Sequence, residues 1–271
     1  MRFDAVIFDI DNVLVDTRAS YTDCIRKTVE AYLETILKFR PSRTALLTRQ
    51  DVEAFKSLGG FNDDWDTCYG LLLYLLSLKT KKRTINELRK EKNILRLTKV
   101  GAERVFGKQR LVSLNRIAEI FQRFYLSDFV WNEKLLISKS ILKRLKALSI
   151  KIGVVTGRSR QEAEFALRRF KIDSSINTMI TADDTPRELK KPHPYGLLKA
   201  AQKLGASLRY LYVGDLPDDI LAARRAKKKI KIASCGYLAA SAQPEKMRRE
   251  LKKAGANYIC ENQKKLMRII F

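Results

Sequence analysis

Histidine is almost missing from this chain of 271 residues, in which His193 is the only one. Catalytic triads built on an imidazole and metal centres built on several of them are therefore disfavoured. Cysteine is scarce as well. Cys24, Cys68, Cys235 and Cys260 have neither zinc-site nor Cys-x-x-Cys spacing. Buried free thiols in a reducing cytoplasm are the expectation, including for Cys235 and Cys260, which fall in neighbouring strands. No apolar run approaches the ~20 residues that span a bilayer, so no membrane association is expected. The first strand-like run, Ala5 to Phe8, is flanked by Asp4 and Asp9. It is too short and too acidic to be a secretion signal.

The other deficit is in acids. Thirty Asp and Glu stand against 54 Lys and Arg, a net charge of +24. The excess is not an appended tail. Residues 1–16 carry Arg2 against Asp4, Asp9, Asp11 and Asp16, whereas residues 138–271 hold 30 basic and 12 acidic residues. Runs such as Arg224 to Lys229 and Lys246 to Arg249 lie inside patterned segments. A charge of this size raises nucleic acid as a partner. No nucleic-acid-reading motif and no basic–aromatic platform accompanies it, so nucleic acid is disfavoured as a partner. The segments Lys143 to Lys151 and Lys227 to Lys231 each close a helix and enter a strand. That places them at the amino ends of strands, where lysine also complements the helix dipole.

What is present is a strand–helix alternation with an insertion. Residues 4–9 read as a short buried strand ending in carboxylates. Segments 20–39, 45–58, 66–78, 84–99 and 113–126 carry apolar residues at helical spacing. From 138 onward, helices at 138–148, 159–170, 194–204, 217–227 and 244–254 alternate with strands at 151–156, 176–181, 208–213, 230–234 and 257–260. Such alternation implies a parallel sheet. The fold class is α/β: a Rossmann-like parallel-sheet core of residues 1–16 and 138–271, flanked by helices, with an all-helical cap domain at 17–137.

Ligands of parallel sheets bind beyond the carboxyl ends of the strands. Several chemical groups would converge there: Asp9 and Asp11 after the first strand, Thr156-Gly157 after the second, Lys191-Pro192 before the helix at 194, and Gly214-Asp215 with Asp218 and Asp219 after the fourth. Clustered carboxylates repel one another unless a cation sits among them. All-oxygen donors suit Mg²⁺, and a lysine and a hydroxyl beside it would hold phosphate oxygens. One carboxylate can attack phosphorus while a second protonates the leaving group. The residue types thus point to Mg²⁺-dependent phosphoryl transfer. Lys190 competes with Lys191 for the site, with the adjoining Pro192 favouring Lys191, and the alternative for Thr156 is to cap the helix that starts at 159.

Asp9-x-Asp11-x-Val13, Thr156, Lys191-Pro192 and Gly214-Asp215-x-x-x-Asp219 resemble, in order and spacing, the four motifs of the haloacid dehalogenase superfamily. The resemblance covers about 1–16 and 138–271. The insertion after the first motif is similar to that of helical-cap members such as phosphoglycolate phosphatases and β-phosphoglucomutases. It implies that Asp9 is nucleophile and Mg²⁺ ligand, and that Asp11 is general acid and base with its backbone carbonyl on the metal. Thr156 and the backbone of Gly157 would bind the phosphoryl group, and Lys191 would neutralise nucleophile and phosphate. Asp215 would ligate the metal, with Asp219, or Asp218 in its stead, acting directly or through water. The second acid, Asp11, argues for a phosphatase or phosphomutase over a dehalogenase.

One residue departs from the pattern: Asn12 stands where glycine is usual, and asparagine tolerates a left-handed turn. In the cap, the loop Gly59 to Trp65 with Asn62, the preceding Lys56, and Arg18 are candidates to read the leaving group. The implied activity is phosphatase action on a small phosphorylated metabolite by a monomer or homodimer. A phosphomutase, a nucleic-acid end phosphatase and a nucleic-acid-binding protein on the same scaffold are the alternatives.

Overall fold

The computed structural model describes residues 3–56, 58, 64–78, 81–97, 112–205 and 207–271. The chain divides into two compact units, Met1–Thr17 with Lys134–Phe271, and Arg18–Glu133.

The first unit is built on a six-stranded parallel sheet. Its strands are β1 (Ala5–Phe8), β4 (Lys151–Val155), β5 (Thr178–Ile180), β6 (Arg209–Gly214), β7 (Lys231–Tyr237) and β8 (Tyr258–Cys260), in the order β5-β4-β1-β6-β7-β8. All four residues of β1 are fully buried. A central strand covered on both faces needs an unbroken apolar run, and Ala-Val-Ile-Phe supplies one. Alternate side chains serve opposite faces. Val6 and Phe8 pack with Leu142, Leu145 and Leu167, whereas Ala5 and Ile7 pack with Leu197, Ala201 and Ala222. The sheet is thus sandwiched between helix layers. Burying side chains such as Ile7 and Phe8 contributes about 1.5–3 kcal/mol each.

Because β1 lies between β4 and β6, the chain leaves it at the point where the strand order turns. Open parallel sheets form a ligand crevice there. A tight turn follows, in which Leu14 N and Val15 N both donate to Ile10 O at 2.9 Å. The turn leads into a two-residue strand, β2 (Val15–Asp16), paired antiparallel with β3 (Lys134–Leu135). This pairing keeps 134–137 with the core. The units therefore divide at Glu133/Lys134, where the sequence pattern placed the boundary at 137/138.

The second unit contains helices α1 (Tyr21–Thr35), α2 (Arg49–Lys56), α3 (Asp64–Ser77), α4 (Ile85–Glu91) and α5 (Leu114–Ser127). Leu71, Leu72 and Leu75 of α3 are fully buried, as are Ile25 and Val29 of α1. The rings of Tyr21 and Tyr125 stack at 4.8 Å. Tyr125 Oη donates to the buried Glu133 carboxylate at 2.7 Å, which ties α5 to the end of the unit. Among the described residues no helix is long and apolar enough to cross a membrane. All four cysteines are buried thiols outside any disulfide, and the sulfurs of Cys235 and Cys260 lie 3.3 Å apart.

Candidate active site

The carboxyl ends of β1, β4 and β6 gather the acids and the lysine. Asp9 follows β1 directly, and Asp215 follows β6. Asp219 is the third residue of the helix Pro217–Ala226, whose first residue is a proline suited to a helix start. Its Oδ2 accepts from Leu216 N at 3.0 Å and caps that helix. The other oxygen, Oδ1, accepts from Lys191 Nζ and from Tyr212 Oη, both at 2.8 Å. Such a close approach of helix and strand requires Gly214, where an added Cβ would lie 2.3 Å from the Asp219 Cβ.

Lys191 is the hub. Its Nζ lies 2.8 Å from Asp9 Oδ2 as well as 2.8 Å from Asp219 Oδ1, and 3.1 Å from Tyr212 Oη. Burial disfavours the charge on this lysine, but Asp219 and Asp9 outweigh it and hold the ammonium well above its ordinary range. The preceding Lys190 makes no such contacts. Asp9 is 6% exposed and its Oδ1 accepts from Ile10 N at 2.7 Å. Burial, followed by the neighbouring Asp219 and Asp11, pushes its carboxyl up to about 7 against the pull of Lys191. Burial and the charges of Asp219 and Asp9 raise Asp215 in the same way. Carboxylate oxygens of Asp9, Asp215 and Asp219 all lie within 4.8 Å of one another.

The turn after β1 sets the remaining pieces. Asn12 adopts the left-handed conformation, φ 56°, and its side-chain amide donates to Asp215 Oδ2 at 3.3 Å. Among the described residues that is the single hydrogen bond to Asp215. Asp11 is held from behind by Arg158, whose Nε and Nη2 reach Oδ1 at 2.9 and 2.8 Å. Thr156 is buried, and its Oγ1 accepts from Arg158 N at 3.2 Å. It does not cap the next helix. Ser159 does, in a reciprocal capping box with Glu162. Gly157 is exposed, with nothing within 4 Å of where a Cβ would stand.

Asp218 is partly exposed, and burial together with Asp219 raises its carboxyl. Asp219, and not Asp218, stands with Asp9 and Asp215 in the carboxylate group that could hold a metal ion. His193 accepts from Tyr195 N through Nδ1 at 3.2 Å and faces its own loop. Arg18 is exposed at the first position of the helical unit, and Lys56 forms an ion pair with Asp64. Asn62 lies outside the described residues.

A model of the haloacid dehalogenase-like hydrolase family matches residues 3–227. The chain belongs to that family. Among relatives of this hydrolase, a protein of Caldanaerobacter subterraneus subsp. tengcongensis assigned as the pyrophosphatase PpaX is 32% identical over 185 residues, covering 64% of this chain and 80% of that protein. The pyrophosphatase PpaX of Bacillus cereus is 38% identical over 94 residues, or 34% of this chain and 43% of that one. A crystal structure from Lactobacillus delbrueckii subsp. bulgaricus, described as a phosphoglycolate phosphatase, superposes with a TM-score of 0.67 at 19% identity, covering 100% and 99% of the two chains. At that identity it shows the shared fold. Three of this hydrolase's site contacts escape a motif reading: Tyr212 against Lys191 and Asp219, Arg158 against Asp11, and the amide of Asn12 on Asp215. The only local signal was a polar hydroxyl buried in strand 209–214.

Proposed function

We propose that this haloacid dehalogenase-like hydrolase is a Mg²⁺-dependent cytoplasmic phosphatase acting on a small phosphorylated metabolite through an aspartyl phosphate on Asp9. The observation that carries this reading is the group formed by the buried Asp9 and Asp219 with the half-buried Lys191 and Asp215, with a second acid two residues beyond the first.

A hard divalent cation fits these residues. Three carboxylates with oxygens within 4.8 Å supply the donors Mg²⁺ prefers. Their burial pushes Asp9 and Asp215 toward the neutral acid in the absence of a cation. Asp215, with one amide donor, keeps lone pairs to give. Asp9, Asp215 and the backbone carbonyl of Asp11 would hold the ion, with Asp219 bound to it directly or through water. When bound, Mg²⁺ would neutralise phosphate charge and keep Asp9 ionised.

The protein's own groups then divide the work. Lys191 holds Asp9 and a phosphate oxygen together. Thr156 Oγ1 and the Gly157 backbone cradle the phosphoryl group. An Asp9 oxygen bonds to phosphorus as the bond to the leaving oxygen breaks, and Asp11 gives that oxygen its proton. Water then attacks phosphorus, returns a proton to Asp11, and frees Asp9 and inorganic phosphate. The unit Arg18–Glu133 takes the role of cap, with Arg18, Lys56 and Asn62 as leaving-group contacts.

The relatives assigned as pyrophosphatases put pyrophosphate first on the substrate panel. Phosphate release is measured with Mg²⁺ on pyrophosphate, phosphoglycolate, sugar phosphates, nucleotides and histidinol phosphate. Release from at least one compound by the wild type, abolished in Asp9→Asn, is the expected result. A panel with no release at all, or an Asp9→Asn enzyme of full activity, overturns the proposal.

A further inference from the structure

Arg158 is the most deeply buried cation near the site, with a side chain 1% exposed against 30% for its partner Asp11. A guanidinium removed from water needs a tightly held anion. Here two of its N–H groups converge on one oxygen, Oδ1 of Asp11, at 2.9 and 2.8 Å. The backbone of Arg158 is fixed as well. Its N donates to Thr156 Oγ1 at 3.2 Å, and its carbonyl accepts from Ala182 N at 2.9 Å. Among the described residues, Asp11 Oδ2 has no hydrogen-bond partner, and it belongs to the more open end of the pair.

We infer that Arg158 is a positioning residue that takes up Asp11 Oδ1 so that Oδ2 is presented to the leaving group and, later, to the attacking water. The inference rests on the phosphatase reading and adds a residue to it. Proton transfer in the transition state demands the carboxyl within hydrogen-bond reach of one particular oxygen. A free aspartate on a turn samples several rotamers, and each misplaced one forfeits the effective concentration that orientation supplies. Arg158 removes that freedom from behind. Its fork is planar and pre-organised, which a lysine ammonium is not. The residue also links Asp11 to Thr156, so the proton donor and the phosphoryl cradle move as one piece.

The test exploits leaving groups. An activated aryl phosphate departs as a stable phenolate and draws little on Asp11. An alkyl phosphate expels an alkoxide and depends on its proton. Arg158→Met should therefore lose about tenfold or more in kcat on the alkyl ester beyond its loss on the aryl ester, with KM changed little. The ratio of the two kcat values cancels any fraction of enzyme that fails to fold. Arg158→Lys should recover part of the ratio. In an Asp11→Asn background, Arg158→Met should leave the ratio where Asp11→Asn alone puts it, because the group being positioned is gone. Equal losses on both esters from an active wild type, or a further ratio change in the Asp11→Asn background, would overturn this inference alone. A wild type inactive on both esters overturns the phosphatase reading and this inference with it.

Discussion

The side-chain amide of Asn12 reaches Asp215 Oδ2 at 3.3 Å across 203 residues of sequence. Glycine, usual at this position in the superfamily, can adopt the same φ of 56° but has no amide to offer. The substitution therefore keeps the turn and adds a donor that orients a proposed metal ligand. Partners of this kind typically govern metal affinity by 10–100-fold.

Asn12→Gly separates the two roles. Glycine still fits the turn, while the bond to Asp215 and those that the side-chain oxygen accepts from Thr17 N and Oγ1 are lost, so Mg²⁺ affinity should fall about tenfold while the melting temperature stays within a few degrees of wild type. Asn12→Ala loses the amide and keeps a Cβ in the left-handed region without asparagine's tolerance for it, at about 1–2 kcal/mol relative to glycine, so it should be the less stable of the two. A magnesium titration of activity, paired with thermal unfolding, reads both. Unchanged magnesium dependence in Asn12→Gly would show that the amide has no part in the site.

Gly214 has no room for a methyl group. Gly214→Ala would drive a Cβ into the Asp219 side chain at 2.3 Å, and the strand or the start of helix 217–226 must yield. Asp219 joins Lys191, Tyr212 and its own helix cap, so the displacement should propagate to all three. The expected result is loss of at least tenfold in kcat, because positioning errors of an ångström cost about a hundredfold. A Gly214→Ala enzyme with wild-type kcat would mean that the Asp219 position is unimportant for turnover.

The motifs at the strand ends were legible because each obeys a local rule: an apolar run ends, and a charged or hydroxyl residue follows. The core strands, the parallel sheet and the family were readable on the same basis. The ribbon of Val15–Asp16 with Lys134–Leu135 was not, since two residues carry no periodicity. The last helix, Gln263–Ile270, was missed although Asn262 caps it through Lys265 N at 2.9 Å. The site partners were hidden for a different reason. Arg158 and Asp11 are 147 residues apart, and nothing local to either marks it for the other. The adjoining Pro192 favours Lys191 over Lys190 in the sequence, and Lys191 makes the contacts with Asp9 and Asp219.

Acidity should act on the metal-free protein through Asp9. Its carboxyl is raised to about 7, chiefly by burial, against about 3.9 in an unfolded chain. The folded state then binds this proton more tightly than the unfolded state does. Stability from this group is full below about pH 4 and is lost as pH rises through about 7. Asp215 is shifted in the same direction. Bound Mg²⁺ reverses the preference, so the rise in melting temperature on adding Mg²⁺ should grow between pH 5 and pH 8. Asp9→Asn, which cannot ionise, should show a flatter dependence in EDTA. Identical pH profiles for wild type and Asp9→Asn in EDTA would contradict the assignment.

The net charge of +24 is arranged with polarity in the sheet unit. Acids crowd the carboxyl ends of the strands. At the amino ends, Lys227, Lys229 and Lys231 line a hollow of about 660 Å³ and have no ion-pair partners among the described residues. A strand of six residues such as β6 separates the two ends by about 20 Å at 3.3 Å per residue. The Debye length is about 8 Å at 0.15 M ionic strength and about 30 Å at 0.01 M. Reversing the three lysines to glutamate should therefore leave kcat/KM for an anionic substrate nearly unchanged at physiological salt. At 0.01 M it should lower kcat/KM several-fold, because the basic end then contributes to the field that draws anions in. Turnover number should be the same at both salts, since these side chains are remote from the reacting atoms. Steady-state kinetics of the triple variant across that salt range decides the matter. A large loss of kcat/KM already at 0.15 M would mean that the hollow acts on catalysis by contact or conformation, and not through its charge at a distance.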